Sequence, residues 1–462
     1  MRLRYLLAVA VLVTSCSQSK PPQAHTTPST LSGSIGAAQY EIDLPTRWSG
    51  DLLLWSHGYV APGSSNVVQA APTADARTWL LGHGYALAGS SYSSTGWALE
   101  EAFTDQMALL DFFNAHVGKP KRVIAWGASL GGIITAGLVQ LHPDRFAAAM
   151  PLCGVLAGGV ATWNAELDSA YAFKTLLAPQ SSLQLVAITD PTANGQAATQ
   201  LAGAAAATPQ GKARLALVAA LSDLPGWFDP RQPEPAADDF AGQIANQISW
   251  ESRVDFNFAF RYRAELERRA GGNPSWNTGV DYSAQLAGSP DRVEVDALYA
   301  HAGLDLQQDL RALNAGPRIK ADPKAAAYLA RYITFDGQLR VPVLSVHTTG
   351  DGLVIPENER AYADVVNAAN GHPLLRQLFV HRAGHCAFTN AEIISAFQAL
   401  IKRLDTGRWD DPTLQPAAMN SHAAAQGASQ NQILGLSLPP AYVDFAPAAF
   451  PRPFAMGSTI PT

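Results

Sequence analysis

The chain has 462 residues, of which 47% are hydrophobic and only 15% are charged, and its formal net charge is -6. At roughly 150 residues per domain, this length predicts two or three domains, or one large α/β domain that carries an insertion. The three cysteines exclude a disulfide scaffold and a cysteine-rich zinc module, and the negative charge without a Lys/Arg block argues against nucleic acid as the main partner.

The N-terminus is typical of an export signal. Two arginines precede the apolar residues 6–13, a stretch too short to span a bilayer as a mature helix. The stretch ends at Val-Thr-Ser-Cys16, which resembles a bacterial lipobox, so lipidation of Cys16 is predicted. An ordinary cleaved signal followed by a chance cysteine is the alternative. We expect an exported protein of the cell envelope (outer membrane or periplasm) or a secreted one, with a lipid anchor as its sole membrane contact. Residues 1–15 would be the signal peptide and 16–37 a flexible tether.

Apolar runs of strand length then alternate with stretches of helical periodicity. The predicted strands are 40–44, 51–56, 85–88, 121–126, 146–153, 341–346 and 377–380, and the predicted helices are 98–117, 133–141, 357–369 and 391–404. Such repetition predicts the α/β class, with a mostly parallel, doubly wound sheet and helices on both faces.

The strand–helix rhythm is interrupted once. Residues 158–335 are rich in Ala, mainly helical in character and as long as a domain, so we interpret them as an inserted cap or lid domain. The catalytic core would then comprise residues 38–157 and 336–410. Residues 411–462, a Pro/Ala-rich C-terminal tail, are expected to wrap the surface or to remain mobile.

Residues 127–131 have the pattern Gly-x-Ser-x-Gly between a predicted strand and a predicted helix. A tight strand–helix turn projects its serine above the sheet, so Ser129 is the candidate nucleophile. Gly127 and Gly131 would remove side chains that collide in this turn, the nucleophile elbow. A structural turn serine is the alternative.

The loop after the second predicted strand carries His57, Gly58 and Tyr59. A loop in this place can supply a backbone N–H to an oxyanion hole. We assign the two donors to the N–H groups of Tyr59 and Leu130, with Gly58 as the alternative to Tyr59. A plain surface turn is the alternative for this loop.

Two further loops carry the remaining candidates. Asp351 follows the strand 341–346 between two glycines, and His385 lies on a Gly-containing loop after the strand 377–380. A carboxylate can fix the tautomer of an imidazole that acts as a base. The order Ser129, Asp351, His385 along the chain is that of the α/β-hydrolase fold.

On these motifs, the chain resembles a secreted α/β-hydrolase of the serine esterase, lipase and peptidase group. The resemblance covers about 38–157 and 336–410. It implies Ser129 as nucleophile, His385 as general base and then acid, and Asp351 as the carboxylate that orients the histidine. It also implies hydrolysis of an ester, thioester or amide through an acyl-enzyme.

The cysteine after His385 adds a second resemblance. Tannases and fungal feruloyl esterases follow the catalytic histidine with a cysteine that is disulfide-bonded to a cysteine just before the catalytic serine. Here Ala128 occupies that preceding position, whereas Cys153 ends the next strand near the same edge of the sheet. The resemblance therefore implies a Cys153–Cys386 disulfide, and two unpaired thiols are the alternative.

Three functions remain open at this point. Hydrolysis of a small-molecule carboxylic ester is the first choice because it demands least of the site. A serine peptidase, similar to an aminopeptidase, would use the same triad, and an inactive fold that serves as a binding lipoprotein is the alternative from another class. No cofactor and no metal are predicted, since the zinc-protease, Cys-x-x-Cys and P-loop motifs are missing. The oligomeric state stays open. Aromatic residues of the insertion, among them Trp163, Phe256, Phe258 and Phe260, would line a substrate pocket or form the insertion's own core.

Overall fold

One sheet organises the core of the protein. The structure, a computed structural model, describes residues 28–461, so the predicted signal peptide and Cys16 lie outside the described residues. The strands are β1 (Ser29–Ile35), β2 (Ala38–Leu44), β3 (Asp51–Ser56), β4 (Ala86–Ser90), β5 (Arg122–Ala128), β6 (Ala148–Leu152), β7 (Val343–Gly350), β8 (Leu375–Ala383), β9 (Gln432–Ile433), β10 (Leu436–Ser437) and β11 (Tyr442–Val443).

Nine of these strands lie in the sheet, in the order β1-β2-β4-β3-β5-β6-β7-β8-β11. The six strands from β4 to β8 in this order are parallel to one another. β1, β2 and β11 run antiparallel at the two edges. The predicted mostly parallel sheet is therefore confirmed.

Helices cover both faces of the sheet because its central strands are apolar on both sides. In β3, Leu52 and Leu54 pack on one face, and Leu53 and Trp55 pack on the other. The first face holds α2 (Leu99–His116), α3 (Leu130–Leu141) and α13 (Glu357–Ala368). The second face holds α1 (Ala74–Gly82), α14 (Asn390–Thr406) and α16 (Pro416–Ala424).

The chain between β6 and β7, which we call the inserted helical segment, has a hydrophobic core of its own. Its helices are α4 (Gly159–Leu177), α5 (Pro191–Ala206), α6 (Pro209–Ala220), α7 (Phe240–Trp250), α8 (Arg263–Ala270), α9 (Tyr282–Gly288), α10 (Arg292–Ala302), α11 (Leu306–Ala315) and α12 (Pro323–Arg331). Two π-helical turns, Glu251–Asp255 and Phe258–Tyr262, join α7 to α8. Such turns are frequent at functional sites.

The prediction of a flexible tether over 16–37 is wrong for residues 29–35, which form β1. Gly36, at φ 60°, reverses the chain in a two-residue hairpin loop, so that Ile35 pairs with Ala38. The hydroxyl of Thr30 donates to Asp43 at 2.6 Å. The polar segment is ordered because β2 offers it a free backbone edge.

The C-terminal segment, predicted to wrap the surface or to stay mobile, wraps the molecule. After α15 (Asp411–Leu414) and α16, β11 pairs with β8 at the edge of the sheet. Phe450 is buried, and Arg452 donates to the buried Asp168 of the inserted helical segment. Among residues 28–461, no helix combines the length and the apolar character that crossing a membrane requires.

Candidate active site

Ser129 lies at the turn between β5 and α3 with φ 60° and ψ -124°, a backbone conformation that non-glycine residues rarely adopt. The turn is closed by glycines. A Cβ on Gly127 would lie 2.5 Å from the carbonyl oxygen of Ser56, and one on Gly131 would lie 1.9 Å from the same atom. The elbow therefore has the geometry that the sequence predicts, because two backbones approach each other where side chains would not fit.

The loop after β3 lies against Ser129. A Cβ on Gly58 would be 3.3 Å from the Cβ of Ser129 and 3.7 Å from its Oγ. The N–H groups of Tyr59 and Leu130 donate no hydrogen bond to another group among residues 28–461. Both predicted oxyanion donors are thus free for a ligand.

His57 holds this loop in place from below. Its side chain is buried, stacks on Tyr92 at a centroid distance of 4.1 Å, and has its ring nitrogens 2.8 Å from the carbonyl oxygen of Gly58 and 3.1 Å from that of Ser91. Burial lowers the pKa of His57 below its usual value. The sequence indicated the loop but not this role of its histidine.

Asp351 and His385 are brought together by the ends of β7 and β8. Nδ1 of His385 lies 2.8 Å from Oδ2 of the fully buried Asp351. The other oxygen of Asp351 accepts from the N–H groups of Leu353 and Val354 at 3.1 and 3.0 Å. The carboxylate is thereby fixed, and it directs Nε2 of His385 away from itself.

Nε2 of His385 lies 3.4 Å from Sγ of Cys386. In the part of the chain that the structure describes, Ser129 Oγ makes no hydrogen bond to His385. Free enzymes often have long or poorly aligned catalytic hydrogen bonds that tighten when substrate binds.

A second layer under Asp351 was not predicted. His347, fully buried on β7, has Nε2 at 3.7 Å from Asp351 Oδ2 and Nδ1 at 3.1 Å from Oε1 of Glu359. Burial lowers the pKa of His347, but the hydrogen bond and charge of Glu359, with the charge of Asp351, raise it above its usual value overall. Only the position of His347 on the strand that leads to Asp351 could have pointed to it.

Comparisons with known proteins support this chemistry. Residues 82–173, which include Ser129 but not Asp351 or His385, match the prolyl oligopeptidase family (Peptidase_S9). The chain is 28% identical over 428 residues to an o-phthalyl amidase of Xanthobacter agilis, a match that covers 84% of this chain and 89% of the relative. The chain is a serine hydrolase with the α/β-hydrolase fold.

Among solved structures, the hydrolase overlaps with feruloyl esterase B from Aspergillus oryzae at 13% identity and a TM-score of 0.40, over 85% of this chain and 84% of that one. An esterase from Aspergillus oryzae gives 14% identity and a TM-score of 0.40, over 82% and 80% of the two chains. At these TM-scores the overlaps carry no argument about substrate.

A Cys153–Cys386 disulfide is present in the hydrolase, where the sequence resemblance placed one. The Cα atoms are 5.4 Å apart, although 233 positions separate the two cysteines along the chain. The bond ties the end of β6 to the residue after His385. It therefore fixes the histidine loop to the central part of the sheet.

A cavity opens beside the nucleophile of the hydrolase. Its lining residues are Tyr59, Trp97, Ser129, Leu130, Val155, Thr162, Trp163, Glu166, Phe258, Leu353 and Val354. The hydroxyl of Tyr59 is buried without a hydrogen-bond partner, and burial raises its pKa far above the usual range. The wall next to Ser129 is thus mostly aromatic and aliphatic.

Some aromatic residues of the insertion line a pocket, and others form the core of the insertion, so each of the two interpretations holds for part of them. Trp163 and Phe258 line the cavity beside Ser129. Phe256 and Phe260 instead belong to the core of the inserted helical segment. Phe256 and Phe260 are four positions apart and share one side of the helix, whereas Phe258 lies on the other side.

Proposed function

We propose that the protein hydrolyses carboxylic esters through an acyl-enzyme on Ser129. The observation that carries this proposal is the 2.8 Å contact between His385 Nδ1 and Asp351, at the same end of the parallel strands where the strand–helix elbow carries Ser129. Nothing in this constellation is specific to a substrate, and an ester is the acyl compound whose cleavage demands least of the site.

The reaction follows from the placement of charge. His385 takes the proton of Ser129 Oγ as this oxygen attacks the carbonyl carbon, and Asp351 stabilises the imidazolium that results. The oxyanion lies between the N–H groups of Leu130 and Tyr59, each of which contributes about 2.7–4 kcal/mol of barrier stabilisation in comparable sites. His385 then protonates the leaving alcohol, and water releases the acid by the same steps.

The second candidate function is amide hydrolysis, favoured by the similarity to o-phthalyl amidase over most of both chains. The match of residues 82–173 to the prolyl oligopeptidase family supports a peptidase in the same way. The three activities share the triad and differ in the leaving group.

A fluorophosphonate probe tests the nucleophile directly. We expect the purified protein to be labelled and Ser129→Ala to lose the label. Ser395→Ala is the matched control, because Ser395 is a buried serine on α14 that belongs to no part of the site. An unlabelled wild-type protein would contradict hydrolysis and favour the binding lipoprotein.

A substrate panel then separates the candidates. p-Nitrophenyl acetate, an o-phthalyl amide and alanine p-nitroanilide represent the ester, the amide and the peptide. We expect the highest kcat/KM for the ester, and a higher value for either amide bond would replace the first choice.

We also propose that the inserted helical segment acts as a cap over Ser129, and that the protein is an exported lipoprotein anchored at Cys16. The cap is supported by Trp163 and Phe258, which line the cavity beside Ser129. The lipid anchor is supported by the N-terminal sequence pattern, and export by a disulfide typical of oxidising compartments. Incorporation of radiolabelled palmitate that is lost in Cys16→Ala tests the anchor.

A further inference from the structure

The cavity beside Ser129 adjoins a second one. The two share Val155, Thr162, Glu166, Leu353 and Val354 in their walls. The second adds the polar residues Ser169, Ser222, Asp255 and Asn358 to a wall that is otherwise mainly aliphatic. A ligand that enters at the nucleophile therefore passes from a mainly aromatic wall to one that carries carboxyl, hydroxyl and amide groups.

Three acidic side chains lie close together here, and two of them, Glu166 and Asp255, line the second cavity. Glu166 projects from α4, and Glu251 and Asp255 come from the first π-helical turn. Glu251 is fully buried, Asp255 is 4% exposed, and Glu166 lines both cavities. No hydrogen bond or ion pair among residues 28–461 uses these carboxylates, so Glu166 Oε2, Asp255 Oδ2 and both oxygens of Glu251 are buried without partners.

One buried cation acts on this cluster but forms no ion pair with it among residues 28–461. The charge of Arg263 acts on Glu166, whereas its Nη1 and Nη2 atoms donate to Ser275, Asn273 and the carbonyl oxygen of Trp163. Burial raises the pKa of Asp255, and the neighbouring charges of Glu166 and Glu251 raise it further. The fold thus disfavours the ionised form of these acids unless a cation binds beside them.

The hydroxyl groups around the acids are also free. Oγ1 of Thr162 and Oγ of Ser169 and Ser222 are buried and find no hydrogen-bond partner among residues 28–461. Most buried polar groups in native proteins are paired, so a cluster of unpaired ones that faces a cavity is typical of a binding site. Carboxylates and hydroxyls are both acceptors, and a primary ammonium group is a cation with three donors.

We propose that Glu166 and Asp255, supported by Glu251, form a subsite that binds a primary ammonium group of the substrate, at a distance from the bond that Ser129 cleaves. This inference rests on the proposed function, because it assigns the substrate class of the same site. A subsite of this kind favours substrates that carry an ammonium group over substrates that carry a carboxylate at the same place, because the acids would repel a carboxylate.

Binding of three small molecules of similar length tests the subsite without turnover. n-Hexylammonium, 1-hexanol and hexanoate are titrated by calorimetry into the full-length Ser129→Ala protein at pH 8. We expect hexylammonium to bind at least about tenfold more tightly than hexanol, as for a hydrogen bond to a charged group, and hexanoate to bind most weakly. Equal affinity for all three, or preference for hexanoate, would overturn the proposal.

Variants assign the preference to the acids. Glu166→Gln and Asp255→Asn, each in the Ser129→Ala protein, should reduce the ratio of hexylammonium to hexanol affinity to about one. Glu294→Gln is the matched control, because Glu294 is a buried acid of the inserted helical segment that lies outside both cavities. A preference that persists in Glu166→Gln and Asp255→Asn would contradict the assignment even if the ammonium binds.

Inhibition of the wild-type protein separates this inference from the proposed function. Hexylammonium should inhibit p-nitrophenyl acetate hydrolysis competitively, and the ratio of its inhibition constant to that of hexanol should follow the calorimetric ratio. Ester hydrolysis without ammonium preference would refute the subsite alone. Ammonium preference in calorimetry without any hydrolysis would refute the proposed function and retain the subsite.

Discussion

At the scale of single residues, the active site depends on positions where a side chain is missing. The Cβ that Gly58→Ala introduces would lie 3.3 Å from the Cβ of Ser129, 3.5 Å from the carbonyl oxygen of Ala128 and 3.7 Å from Ser129 Oγ, so it would crowd the nucleophile. We expect kcat/KM for p-nitrophenyl acetate to fall about 100-fold while the Tm stays nearly constant. Gly82→Ala, which meets no atom within 4 Å, is the control and should leave both values unchanged. Full activity of Gly58→Ala would show that the substrate carbonyl is bound elsewhere.

His347 makes a pH-dependent contribution at the same scale. The pKa of His347 is higher in the folded protein than in the unfolded protein, where it is about 6.5. The protonated histidine therefore stabilises the fold fully at pH values below about 6.5, and this stabilisation is lost as the pH rises through the pKa of the folded state. Each unit of the shift corresponds to about 1.4 kcal/mol. The difference in free energy of unfolding between wild type and His347→Gln should therefore be largest near pH 6 and shrink toward pH 9. A constant difference across this range would mean that the pKa of His347 is the same in the folded and unfolded protein.

At the scale of elements, the apolar runs predicted the central strands because strands buried on both faces must be continuously apolar. β1 and β11 escaped prediction for the opposite reason: one is polar and the other is two residues long, so their neighbours in the sheet specify them. The triad could be predicted because each member lies on a loop directly after a strand. His347 and Glu359, like Glu166 and Asp255, have functional neighbours only through tertiary contacts, which leave no local pattern.

The disulfide joins the end of β6 to the loop after β8. In a Cys16→Ala protein, reduction or Cys386→Ala should lower the free energy of unfolding by about 2–5 kcal/mol, because the bond closes a loop of more than two hundred residues. The bond also positions His385. We therefore expect kcat/KM to decrease as well, even at temperatures too low for the protein to unfold. Thermal denaturation and ester hydrolysis with and without dithiothreitol measure the two effects. Loss of stability with unchanged kcat/KM would restrict the bond to a structural role.

At the scale of the whole molecule, the C-terminal segment connects the sheet to the inserted helical segment. It leaves the sheet after β11 and inserts Arg452 beside Asp168, and a second nitrogen of the guanidinium donates to the carbonyl oxygen of Trp276 at 3.0 Å. Burial raises the pKa of Asp168, and the charge of Arg452 opposes this effect. The arginine therefore compensates a carboxylate that the inserted helical segment buries.

Removing Arg452 alone should lower the free energy of unfolding more than removing both Arg452 and the charge of Asp168. Arg452→Ala leaves Asp168 buried and unpaired, so we expect the free energy of unfolding to fall by about 3–5 kcal/mol. Asp168→Asn in the same chain removes the uncompensated charge and should restore part of the loss, because the amide can still accept from Tyr282, which lies 3.0 Å away. Arg311→Ala, which removes an exposed ion pair with Asp305, is the control and should change stability by less than about 1 kcal/mol. Urea denaturation of the wild type, Arg452→Ala, the double variant and Arg311→Ala measures these differences. If the double variant is no more stable than Arg452→Ala, the arginine acts through packing and its bond to Trp276 rather than through the charge of Asp168.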